Sequence, residues 1–159
     1  MSLGPGGYEI LRPLGTGGMG EVYLARDTTL DRMVALKLLP VDVTSDSQRV
    51  ARFEWEARSA SALSHPNVCV VHALGTTDDG RRFIAMGYVE GRTLRDRLPP
   101  GYVDAALPDV LDIGIQVAAA VGAAHPLGIV HRDLKPENVM VRPDGPPVQC
   151  AEMDVSHGR

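Results

Sequence analysis

Between His131 and Asn138 the chain reads HRDLKPEN. Asp133 supplies a carboxylate that can accept a proton. Lys135 places a positive charge two residues on, and Asn138 adds an amide oxygen of the kind that suits a hard cation such as Mg2+. A base, a cation and a hard-metal ligand are the parts that phosphoryl transfer to a hydroxyl requires. His131 has a plainer reading, as a packed and hydrogen-bonded core histidine. The remaining histidines (His65, His72, His125 and His157) lack metal-ligand spacing and read as structural or solvent-facing.

A second group of residues lies near the N-terminus. LGTGGMGEV places Gly15, Gly17 and Gly20 in the pattern G-x-G-x-x-G, which by itself often marks only a permissive turn. A dinucleotide-binding loop would need a helix after it, because the helix N-terminus holds the pyrophosphate. Here Glu21-Val22-Tyr23-Leu24-Ala25 alternates and returns as a strand, so the loop is the turn of a hairpin, and a dehydrogenase is excluded. Lys37 follows in VALK, an ammonium on the inner face of a strand, where a charge without a partner is costly. Surface snorkelling is the commoner fate of a lysine.

These residues need elements to hold them. Residues 8–14, 21–27 and 32–40 read as three strands, the third with Val34, Leu36 and Leu38 on one face and Ala35 and Lys37 on the other. A helix over about 46–63 follows, with Ser45 and Gln48 at capping-box spacing and Val50, Phe53, Ala57 and Ala60 on one face. Glu56 lies at the edge of that face; Glu54, two residues away, points nearly opposite. Residues 68–77 and 81–89 read as two more strands around Asp78-Asp79-Gly80. Beyond Glu90 come a short helix in TLRDRL capped by Thr93, the loop PPGY, and a long helix from Pro108 to near His125. Val110, Ile113, Val117, Val121 and Ala124 form its apolar stripe. With Leu111, Ile115 and Ala118 also apolar, it is expected to be buried on most sides.

With G-x-G-x-x-G-x-V at 15–22, V-A-L-K at 34–37 and H-R-D-L-K-P-E-N at 131–138 in that order, the chain resembles the eukaryotic-type protein kinases, most of all the bacterial serine/threonine kinases. The resemblance implies an α+β, protein-kinase-like fold. A small lobe at 8–88, a five-stranded antiparallel sheet plus one helix, binds nucleotide. A partial, mainly helical large lobe at 89–145 carries the catalytic loop. It also implies transfer of the ATP γ-phosphoryl group to Ser or Thr of a protein substrate, with Mg2+. Asp133 matches the base and Lys135 the lysine that neutralises the moving group. Asn138 matches a magnesium ligand, and Arg132 a contact to a phosphorylated activation segment. Lys37 matches the lysine on the α- and β-phosphates and Glu56 its partner. Gly15, Gly17 and Gly20 cover the phosphates, while Val22, Ala35 and Met140 sandwich the adenine. Met86 guards the back of the pocket, and the backbone of Gly87-Tyr88-Val89 forms the hinge. Gly87 departs from the family, where an acidic residue is common.

After Gly145 the resemblance breaks off abruptly. Family spacing from Asn138 lands on Ala151, where a D-F-G aspartate belongs, and CAEMDV offers only Asp154 nearby. Residues 146–159 read as a non-matching tail, of the kind a change of reading frame leaves. The chain is therefore expected to be an amino-terminal part of a kinase domain, with the long helix losing partners. The alternatives are a catalytically inactive nucleotide-binding or interaction module, or a non-functional fragment.

Composition sets wide bounds. The 159 residues are 44% hydrophobic and 23% charged, with a net charge of −4, which gives no basic stripe for nucleic acid. Cys69 and Cys150 are too few for a disulfide framework and read as thiols in a reducing compartment. The N-terminus shows no secretory pattern, and no window approaches the uninterrupted apolar length of a membrane span. A cytoplasmic location is the expectation.

Overall fold

A computed structural model of the chain describes residues 2–3, 7–17, 20–98, 107–131, 133–144 and 148–150. Arg132, Ala151 and Asp154 lie outside these residues, as does the PPGY loop. The chain divides into two compact units. One comprises Met1–Ser61 and Val70–Tyr88; the other comprises Ala62–Cys69 and Val89–Arg159.

The first unit is an antiparallel sheet with one helix. The five expected strands are β2 (Tyr8–Gly17), β3 (Gly20–Asp27), β4 (Arg32–Leu38), β5 (Val71–Thr76) and β6 (Arg82–Gly87). A two-residue strand, β1 (Ser2–Leu3), adds at the edge, giving the order β1-β2-β3-β4-β6-β5. Alternation along β4 divides the side chains between two faces. Val34, Leu36 and Leu38 enter a core with Tyr8, Ala25, Phe83 and Ala85. Tyr8 and Phe83 meet edge to face at 5.6 Å between ring centroids. Full burial of side chains such as Val34 and Leu36 contributes roughly 1.5–3 kcal/mol each, which fixes which face of β4 points inward.

The other face packs on α1 (Ser47–Ser61). Phe53 and Ala57 from the helix join Leu39, Val43 and Ile84, with Val50, Val71, Leu74 and Met86 against them. The helix start differs from the capping-box expectation at Ser45 and Gln48. Asp46 Oδ1 accepts the main-chain N–H groups of Gln48 (3.0 Å) and Arg49 (3.2 Å), so Asp46 is the cap. A carboxylate satisfies two open donors and carries a full negative charge at the positive end of the helix dipole.

In the second unit, β7 (Arg92–Thr93) leads into α2 (Leu94–Arg97), and Thr93 caps that helix as expected by accepting from Asp96 N. β7 pairs with β8 (Val139–Val141), which pairs in turn with β9 (Val148–Cys150). Residues 148–150, assigned to the tail by sequence, thus lie in register opposite 139–141. The long helix α3 spans Leu107–Ala124. Its expected burial on most sides does not hold. Among its described side chains only Ala120 and Ala124 are buried, while Leu111 is 55% and Ile115 67% exposed. An apolar stripe gives a helix a preferred face but does not supply the element that covers it. Pro108–Leu127 is, by length and composition, apolar enough to cross a bilayer. Its polar side is nevertheless tied into the unit: Gln116 bonds Asp112 at 2.8 Å and accepts from Asn67 Nδ2 at 2.8 Å.

Candidate functional site

In the first unit, strand register gathers the predicted nucleotide residues. Val22 lies opposite Lys37, and Ala35 opposite Met86. Directly opposed residues share a face, so Val22, Ala35, Lys37 and Met86 all emerge on the side that α1 packs against. Lys37 is only 8% exposed and Glu56 of α1 only 9%, and among the described residues they are the two buried charged residues on that side. Arg52 Nε, one turn before, bonds Glu56 Oε1 at 2.9 Å. The carboxylate of Glu54, the weaker sequence candidate, is engaged by Arg82 and by Arg58.

The glycines separate into two kinds. Gly20 has φ +124°, and a Cβ there would collide with the main-chain oxygen of Leu38, so the fold itself requires glycine. At Gly15 a Cβ would meet nothing within 4 Å. Packing within the chain therefore does not require glycine at position 15. Gly17, at the end of β2, pairs with Gly20 across the turn. At the expected hinge, the Gly87 N–H donates to Val70 O at 2.9 Å and belongs to the sheet.

In the second unit, Asp133, Lys135 and Asn138 come together. Lys135 Nζ lies 2.8 Å from Asp133 Oδ2, both side chains about half exposed. Asn138 Nδ2 donates to Asp133 O at 2.8 Å and to Asp133 Oδ2 at 3.3 Å. That use of Nδ2 turns the amide oxygen of Asn138 away from Asp133, and an outward amide oxygen fits a hard cation. The Lys135 ammonium, foremost, then Asn138 and His131, hold the Asp133 carboxyl below the ordinary carboxylate range, against a smaller opposing effect of desolvation. His131 is hydrogen-bonded, as expected: its Nδ1 accepts the Asp133 N–H at 3.2 Å, although its buried Nε2 has no partner. Val139 and Val141 are buried on either side of the half-buried Met140. Val89 is buried as well.

Sequence reasoning missed the contacts of the segment after Val89. Arg95 Nε bonds Glu137 Oε1 at 2.9 Å, and Gly91 packs against the main chain of Val141. The only sequence signal was a glycine just past the expected hinge.

A sheet carrying a buried lysine, a helix carrying a buried glutamate, and a loop uniting Asp, Lys and Asn together point to the protein kinase class. The protein kinase domain family matches residues 8–153, and the chain belongs to it. That match runs past Gly145, where the motif resemblance ended. The chain is 45% identical over 140 residues to the serine/threonine-protein kinase PrkC of Bacillus subtilis, covering 86% of this chain and 21% of that protein. It is also 45% identical over 145 residues to PknF of Mycobacterium tuberculosis, covering 88% and 30%. The crystal structure of the M. tuberculosis PknI kinase domain superimposes with a TM-score of 0.81 at 32% identity. That superposition covers 98% of this chain and 61% of the PknI chain. The chain thus spans less than a third of these curated relatives and under two thirds of the solved domain.

Proposed function

We propose that the chain is the nucleotide-binding and catalytic-loop part of a bacterial-type serine/threonine protein kinase, transferring the ATP γ-phosphoryl group to a Ser or Thr hydroxyl. The observation that carries this is the joining of Asp133, Lys135 and Asn138 by short polar contacts. Asp133 accepts the hydroxyl proton, and Lys135 sits where positive charge offsets the moving phosphoryl group. Lys135 occupies Asp133 Oδ2 in the free chain; on moving to phosphate it would leave the carboxylate more basic. Lys37 contacts the α- and β-phosphates with Glu56 as its partner, and Gly15, Gly17 and Gly20 lie over the phosphates. By the kinase pattern, Val22, Ala35 and Met86 are the adenine contacts of the first unit, and Met140 and the Val89 main chain those of the second.

Asn138 would hold Mg2+ through its amide oxygen, and the ion would neutralise phosphate charge. Reaction occurs in the cytoplasm, on a protein substrate whose identity these residues do not encode. A second reading follows from the absence of D-F-G in the sequence after Asn138: a module that binds ATP without transferring phosphate. Isothermal titration with ATP, with and without Mg2+, and a γ-32P transfer assay on the full chain separate the two. Transfer abolished by Asp133→Asn with nucleotide affinity retained supports the kinase reading. Binding without transfer supports the second, and no ATP binding overturns both.

A further inference from the structure

The catalytic loop is flanked by a short segment that none of the kinase motifs includes. At Gly91 a Cβ would overlap the carbonyl oxygen of Val141 and lie 3.0 Å from its carbonyl carbon. Glycine thus lets the main chain lie directly on β8. The next two residues continue that approach as a ladder, Arg92 opposite Val141 and Thr93 opposite Met140. Thr93 then caps α2, whose second residue, Arg95, bonds Glu137 Oε1 at 2.9 Å. Residues 137, 140 and 141 are therefore gripped from one segment, and Asn138 lies between them.

We propose that Gly91 and Arg95 are positioning residues for the reaction. Together they form a brace that fixes Asn138, and through its bonds to Asp133 O and Oδ2 sets the orientation of the catalytic carboxylate. The inference rests on the kinase reading only for what Asn138 and Asp133 do, not for where they are held. An exposed ion pair such as Arg95–Glu137 adds little to stability. Its loss should appear in the geometry of the loop and not in the melting temperature. A purely structural pair would show the reverse.

The experiment uses the full chain and two NMR signals at neutral pH: the Asn138 side-chain amide and the Asp133 carboxyl carbon. Arg95→Gln is expected to shift both signals, with an unchanged melting temperature. The swapped pair R95E/E137R, which keeps net charge constant, is expected to restore both. In Mg2+–ATP titrations Arg95→Gln should bind about tenfold more weakly, the usual effect of removing support behind a metal ligand. Unmoved Asn138 and Asp133 signals in Arg95→Gln, or a folded swap that fails to restore them, overturn the brace. If the swap does not fold, Gly91→Ala decides. Displacement of β8 must then shift the same two signals, and unshifted signals reject the proposal. Absence of ATP binding by the unaltered chain strikes the kinase reading alone, because the NMR result stands independently.

Discussion

Asn138 spends its Nδ2 on Asp133, at 2.8 Å to the main-chain oxygen and 3.3 Å to Oδ2. One side chain thereby ties Asp133 to the far end of the catalytic loop and turns its own oxygen outward. Replacing Asn138 with Ala removes both. Mg2+-dependent ATP affinity should fall about 10- to 100-fold, while Mg2+-free affinity stays near that of the unaltered chain. Calorimetric titration in the presence and absence of Mg2+ checks this, and equal losses in both conditions would count against a metal role.

Gly20 and Gly15 should respond differently to the same change. Gly20→Ala forces a Cβ onto Leu38 O at a φ that L residues rarely adopt, so it should destabilise by roughly 1–3 kcal/mol or more. Gly15→Ala meets open space and should leave the unfolding midpoint unchanged while weakening ATP binding. Thermal unfolding and nucleotide titration of both variants provide the comparison. A Gly15→Ala chain that melts early but binds normally would reverse the assignment.

The strands were legible because alternation has a short period that survives without knowledge of partners. Val34, Leu36 and Leu38 faced one core and Lys37 the other side, as the pattern required. The loop residues were legible because HRDLKPEN is local, and its hydrogen bonds span only a few residues. What escaped depended on distant partners. Gly91 meets Val141, and Gly87 N–H is taken by Val70; neither contact leaves a periodic trace. Asp46 escaped for a different reason. Two polar residues sat side by side before α1, and spacing alone favoured Ser45, one place too early.

The charge on Asp133 leads to a pH prediction. Lys135 and Asn138 depress its pKa in the folded chain, so this group stabilises the fold above its unfolded pKa and ceases to as pH falls through the folded one. Lys135→Ala should raise the Asp133 midpoint toward the ordinary carboxylate value. Any stability difference between the two chains should be present at neutral pH and shrink on acidification through that window. Carbon-detected NMR titration measures the midpoint, and an unmoved midpoint would mean that Lys135 does not govern Asp133 in solution.

The outer side of α3 bears on how the chain behaves at working concentrations. Leu111 and Ile115 are more than half exposed, and Val110 beside them is 42% exposed. Clustered apolar side chains open to water favour self-association. Because neither Leu111 nor Ile115 is buried within the chain, the double change L111K/I115E should alter stability by no more than about 0.5 kcal/mol. It should nevertheless reduce association. Sedimentation velocity over a concentration series should show large species in the unaltered chain that shrink in the variant, with ATP affinity the same in both. A variant that unfolds instead would show that these side chains are buried in solution, and the apolar stripe would then have found a cover after all.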